Sequence, residues 1–183
     1  MRKVLDRLYQ FSGILAAALI VGIVAIVFAQ VCLNFTDKVL VATTGNPLGL
    51  TIPSYSDFTG YFLAASSFLA LAYTLRVGGH IRVTLITRLL GARTTACFEG
   101  LTLALALVIT TFATYYVFLL ISESYAYGDK SPGMIPVPLW LPQTPVALGL
   151  LILSIALLDD LAGVIRGKQP SYHGREENLM SEE

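Results

Sequence analysis

Four apolar stretches, each long enough to cross a bilayer, constrain this chain more than any other feature. Phe11–Leu33 runs 23 residues without a charge, Phe58–Leu75 runs 18 and stops at Arg76, Gly100–Ile121 runs 22 after Glu99, and Leu141–Leu158 runs 18 before Asp159 and Asp160. An α-helix rises about 1.5 Å per residue, so roughly 17–25 apolar residues span a hydrocarbon core of about 30 Å. A soluble domain of 183 residues has no use for four such runs. The 55% hydrophobic content and the 13% charged content agree, as does the mean hydropathy of +0.71. The expected fold class is all-α integral membrane: a four-helix bundle of transmembrane helices.

The formal net charge is zero, but the cations are unevenly placed. Arg2, Lys3 and Arg7 precede span one; Arg76, Arg82, Arg88 and Arg93 lie between spans two and three; Arg166, Lys168 and Arg175 follow span four. Only Lys38 and Lys130 fall in the other two connections, so ten of twelve cations share one side of a four-crossing chain. The positive-inside rule puts that side in the cytoplasm. Both termini are then cytoplasmic, with residues 34–57 and 122–140 facing outward. Span one is too long for the roughly 7–15-residue core of a signal peptide and lacks an A-x-A site, so it reads as an uncleaved anchor. Cys32 and Cys97 fall at opposite membrane faces, which disfavours a disulfide and leaves them as small packing residues.

Val4, Leu5, Leu8, Phe11 and Ser12 recur at helical spacing and predict a short interfacial turn leading into span one. Gly45-Asn46-Pro47 and Pro53 make the first outward connection turn. Span two is rich in small residues, and Gly60, Ala64 and Ser67 share one face on which another helix backbone could approach closely. Span three repeats the device as Thr102, Ala106, Thr110 and Thr114. Packing of spans two and three on each other is the favoured use; docking onto another membrane subunit is the alternative. Gly78-Gly79 ends span two with a sharp turn. From Ile81 onward, Ile81, Val83, Leu85, Ile86, Leu89 and Leu90 gather on one arc, opposite His80, Thr84, Thr87 and Arg88. This pattern predicts an interfacial amphipathic helix between spans two and three. Arg82 interrupts the apolar arc, where it snorkels to lipid phosphate or pairs with a partner carboxylate. Trp140, among the prolines at 132, 136, 138, 142 and 145, marks the outer boundary of span four. The expected domain is one membrane unit over residues 1–166, followed by a polar, disordered cytoplasmic tail over 167–183.

Enzyme chemistry is not expected. The chain has two histidines, His80 and His173, neither within a span, and no His/Cys cluster with metal-ligand spacing. P-loop, GxSxG and Rossmann fingerprints are absent. No Asp, Glu, Lys or Arg occupies the middle of a span, whereas a transporter that holds a charged solute needs intramembrane polar groups or broken helices. Glu99, Asp159 and Asp160 lie at the cytoplasmic ends of their spans, where pairing with the arginines is the expected role. The candidate residues are therefore a subunit or lipid interface: Gly60, Ala64, Ser67, Gly79, His80, Arg82, Arg88 and Trp140. No catalytic, cofactor or metal site is expected.

The run from Phe68 to Val83, with Gly78-Gly79-His80-Ile81-Arg82-Val83 at its joint, and the entry Ile135-Pro136-Val137-Pro138-Leu139-Trp140-Leu141-Pro142 to a last span containing Gly149 resemble a known family. This is the small membrane subunit, DctQ-like, of tripartite ATP-independent periplasmic (TRAP) transporters, and the resemblance covers about residues 10–165. Thr84 stands where that family often has an acidic residue. The resemblance implies a scaffold subunit of a sodium-coupled, binding-protein-dependent secondary transporter for organic acids in the bacterial inner membrane. The implied partners are a large permease subunit and a periplasmic substrate-binding protein, with membrane lipid around them and no nucleic acid. Sodium coupling would lie in the large subunit, with no cofactor in this chain. The alternative is a self-sufficient small exporter or channel.

Overall fold

The computed structural model describes residues 2–79 and 92–166. They form four helices: α1 (Arg2–Thr44), α2 (Tyr55–Val77), α3 (Ala92–Tyr127) and α4 (Trp140–Ile165). Each is long and apolar enough to cross a membrane. The segment predicted to be an amphipathic helix, with His80, Arg82 and Arg88, lies outside the described residues, as does the tail. Arg7 of α1, Arg76 of α2 and Arg166, just past α4, mark one end of the molecule, the basic end; the α3–α4 connection marks the other, the hairpin end.

α1 is continuous over 43 residues, about 64 Å at 1.5 Å per residue. The expected interfacial turn, span one and the first eleven residues of the outward connection are one helix. Nothing between Gly22 and Gly45 breaks it, and Gly45, at φ 74°, ends it by donating its N–H to the Val41 carbonyl at 3.0 Å. The chain then folds back along α1. Asp37 accepts the backbone N–H groups of Leu48 and Gly49 at 2.8 and 3.0 Å. The buried Gln30 amide accepts from Ile52 N at 2.7 Å and donates to Asn34 and Thr51. Buried polar groups left unbonded are costly, and these bonds fix where the return loop lies.

The four helices of the expected bundle form an open row, α1–α2–α4–α3. α2 packs on α1 and α4, α3 packs on α4, and α1 meets α4 only slightly. The expected packing of spans two and three is thus replaced by packing of each on span four. The reason is Gly149. A Cβ there would sit 2.5 Å from the Phe68 carbonyl carbon and oxygen and 2.8 Å from Leu69 N, so α2 and α4 approach backbone to backbone. In lipid, where no hydrophobic force joins helices, such approach is a principal source of packing attraction. The face of α2 that is buried carries Ala65, Ser66, Leu69, Ala72 and Leu75. Ser12 of α1 donates to the Leu69 carbonyl on the same face.

The row leaves its edge helices open. A third of α4's most apolar window is buried (33%), but only 6% of α3's and 11% of α1's. Cys32 and Cys97 are free and exposed because they sit on these edges. They do not pack in the interior as expected. The apolar core lies toward the basic end, where Tyr9, Ala72, Leu75, Leu103, Leu153, Ala156 and Leu157 meet.

Candidate functional site

Arg76 is the residue on which three helices converge. It lies in the last turn of α2, just before a Schellman cap in which Gly78 N bonds the Leu75 carbonyl at 3.2 Å and Gly79 N the Thr74 carbonyl at 2.9 Å. Gly78 has φ 77°, a conformation that favours glycine. Arg76 Nε and Nη2 donate to the same Asp6 oxygen, Oδ1, at 3.1 and 2.8 Å. Its Nη1 lies 3.6 Å from both Asp159 Oδ2 and Asp160 Oδ1 of α4. The guanidinium carbon is 5.9 Å from the centre of the Tyr9 ring, at the limit of a cation–π contact. Side-chain exposure falls from 48% at Asp6 to 26% at Asp159, 17% at Arg76 and 4% at Asp160. The Asp160 contact is therefore the least screened of the three.

This clasp fits the expectation that Asp159 and Asp160 pair with arginine at the basic end. Glu99 also has an interaction partner. The arginine that serves the aspartates is Arg76, which the sequence had marked only as the end of span two. A signal was available: a four-span chain brings the start of span one and the ends of spans two and four to one face, and Asp6, Arg76 and Asp159-Asp160 are the charges there. Tyr9 is almost fully buried beneath the cluster, and its hydroxyl has no hydrogen-bond partner among the described residues. Its place in the core gave no comparable signal.

The candidate interface residues do not assemble into one site. Gly60 and Ser67 are exposed, Ala64 is half-buried beside them, and a Cβ on Gly60 would meet nothing within 4 Å. Ser67 returns its hydroxyl to the Leu63 carbonyl at 2.7 Å. Gly79 is exposed at the basic end, while Trp140 opens α4 at the hairpin end.

Trp140 packs edge-on against Tyr125, ring centres 6.0 Å apart, at the base of a hairpin. Ser131 N donates to the Val137 carbonyl at 2.8 Å and Leu139 N to the Asp129 carbonyl at 3.0 Å. Ile135 N then donates to the Ser54 hydroxyl at 3.0 Å, which latches the hairpin to the start of α2. Gly133 lies against Asp57 and Ser54 so closely that a Cβ would collide with the carboxylate. Below the hairpin, an apolar crevice of about 340 Å³ opens between α1, α2 and α4, lined by Leu15, Leu19, Phe58, Phe62, Val137 and Pro145 among others. Among the described residues, no group of three or more His, Cys, Asp or Glu could hold a metal ion.

Residues 23–167 match the family model for the DctQ component of tripartite ATP-independent periplasmic transporters. The chain belongs to this family. No curated protein and no solved structure matches it. The DctQ match begins inside α1, so Arg76, Asp159 and Asp160 fall within it and Asp6, Tyr9 and Ser12 do not. As a DctQ component the chain is the small part of a TRAP transporter, a multi-pass membrane protein from a family of transporter components rather than enzymes.

Proposed function

We propose that this DctQ component is a scaffold: it binds no solute itself and holds a large permease subunit in the state in which that subunit transports. The observation that carries this reading is the distribution of ionisable groups. Within the four apolar stretches no Asp, Glu, Lys or Arg occurs, and at the basic end Asp6, Arg76, Asp159 and Asp160 of α1, α2 and α4 are gathered in one clasp. A charged solute crossing through this chain would meet no polar partner in the hydrocarbon, where an isolated charge costs at least about 2.5 kcal/mol. The continuous helices offer no broken midplane segment of the kind that coordinates ions in secondary transporters. The family resemblance adds sodium-coupled uptake of an organic acid delivered by a periplasmic binding protein, in the inner membrane; the ten-to-two cation asymmetry supports a cytoplasmic basic end and cytoplasmic termini.

The test is reconstitution. Liposomes holding the large subunit and this chain, supplied with binding protein and a sodium gradient, should accumulate carboxylate. Liposomes lacking either membrane subunit should not. Carboxylate flux through this chain alone would overturn the scaffold reading.

A further inference from the structure

The open row has two edges, and they differ chemically. On α1, every exposed side chain from Phe11 to Val31 is apolar; Ser12 and Gln30, its polar residues there, are buried and hydrogen-bonded inward. The exposed face of α3 instead carries Tyr115 (60% exposed) and Tyr116 (52%), packed edge to face with ring centres 5.5 Å apart. Phe112 joins them, 4.5 Å from Tyr116. Three threonines of α3 satisfy themselves on their own helix: Thr102 bonds the Phe98 carbonyl, Thr110 the Ala106 carbonyl and Thr114 the Thr110 carbonyl. A tyrosine hydroxyl is too far from its own backbone to do so, and neither phenol has a hydrogen-bond partner among the described residues.

The depth of these phenols follows from α4. Gln143 donates to the Ser124 hydroxyl at 3.2 Å and Thr114 lies 3.5 Å from Ser154, which sets α3 and α4 antiparallel and level. Tyr115 and Tyr116 are thereby level with α4 residues near Ile152. At 1.5 Å per residue that is about 18 Å below Trp140 and about 10 Å above Asp159. The phenols lean toward the basic end, as helix side chains lean toward the N-terminus, but stop short of the charged rim. With Trp140 and Asp159 taken as the edges of the apolar layer, the phenols fall inside it, where lipid tails offer no acceptor and an unbonded hydroxyl is costly. A second feature of the same face is its spacing. Leu101, Leu105, Val108, Phe112, Tyr115 and Leu119, all exposed, follow one another at intervals of 4, 3, 4, 3 and 4. The exposed face of α1 has the same period, at Ala17, Val21, Val24, Phe28, Val31 and Phe35, so the spacing offers a partner helix a seam on either edge and the phenols alone distinguish α3.

We propose that α3, not α1, is the edge that meets the large subunit, and that one transmembrane helix of that subunit lies along the Leu101–Leu119 seam and accepts hydrogen bonds from Tyr115 and Tyr116. The proposal rests on the scaffold reading above and names the face through which the scaffold acts. α1 then faces lipid on its outer side, in keeping with its unbroken apolar surface.

Photo-crosslinking in membranes that hold both subunits tests it. Benzoylphenylalanine placed by Tyr115→benzoylphenylalanine or Tyr116→benzoylphenylalanine should give a covalent adduct with the large subunit. The same group placed by Val24→benzoylphenylalanine on α1 should give none above background. A pair that co-purifies but crosslinks from position 24 and not from 115 or 116 overturns the α3 assignment and leaves the scaffold reading standing. A wild-type pair that does not co-purify overturns the scaffold reading and the assignment with it. The double variant Tyr115→Phe, Tyr116→Phe keeps the ring packing and removes only the hydroxyls. It should weaken association by about threefold per hydroxyl, the typical strength of an interhelical hydrogen bond in lipid. Unchanged association would show that the phenols donate nothing to a partner.

Discussion

Arg76 serves three carboxylates that are not equivalent. Asp6 is close but half exposed, so its pair contributes about 0–1 kcal/mol. Asp160 is buried, and removing the guanidinium leaves its carboxylate in the protein with less compensation. Losing one partner of a buried pair costs about 3–5 kcal/mol, and the residual exposure of Arg76 favours the lower end. Arg76→Gln is expected to lower the unfolding temperature of the detergent-solubilised chain far more than Asp6→Asn. Adding Asp160→Asn to Arg76→Gln should recover part of the loss, because it removes a buried charge that has lost one of its partners. Melting curves of the three variants by tryptophan fluorescence at Trp140, or by loss of the monodisperse elution peak, check this; equal effects of Arg76→Gln and Asp6→Asn would show that Asp160 does not depend on the guanidinium.

At the scale of elements, two glycines separate a packing role from a merely small residue. Gly149 lets α4 touch the α2 backbone, and even one methyl would collide with the carbonyl of Phe68. Gly149→Ala is expected to cost about 1–3 kcal/mol, the usual penalty of overpacking a close contact. Gly60 meets nothing within 4 Å of a built Cβ, so Gly60→Ala should be neutral or stabilise α2 by up to about 1 kcal/mol through helix propensity. The unfolding temperatures of the two variants measure this contrast. A destabilising Gly60→Ala in the isolated chain would place an intramolecular contact where the structure has open surface. The hairpin gives a second element-scale expectation. Gly133→Val should push the 129–139 loop off Ser54 and Asp57, exposing the Ile135 amide to faster hydrogen exchange while leaving the core of α2 and α4 protected.

At the scale of the molecule, the open row sets two central helices against two edges. The long α1 and α3 carry the exposed apolar surface, and α2 with α4 carries the close packing. The ten-to-two division of cations is expected to orient this row with the basic end in the cytoplasm. In a Cys-free background, single cysteines introduced by Gly45→Cys and Gly128→Cys, the turns that end α1 and α3, should react with an impermeant thiol reagent added to intact cells. One introduced by Ser171→Cys should react only after permeabilisation. The reverse pattern would invert the topology.

The four spans, their approximate limits and the family were legible in the sequence because each depends on information carried locally. An uncharged run of about twenty residues has to be helical in lipid whatever surrounds it, and Gly78-Gly79 or Gly45-Asn46-Pro47 ends a helix through its own backbone conformation. Charge asymmetry likewise needs only the order of the residues. Which helix lies beside which was not legible. Apolar faces in a membrane look alike because lipid is as apolar as any partner, so the small-residue stripes on spans two and three gave no reason to prefer each other over span four. Only the tertiary structure selected Gly149 as the point of closest approach, joined Asp6 to Arg76 across 70 positions, and left Tyr115 and Tyr116 on an open edge. Those outcomes depend on how backbones fit at contact distance in three dimensions, a property that no single helix carries in its own sequence.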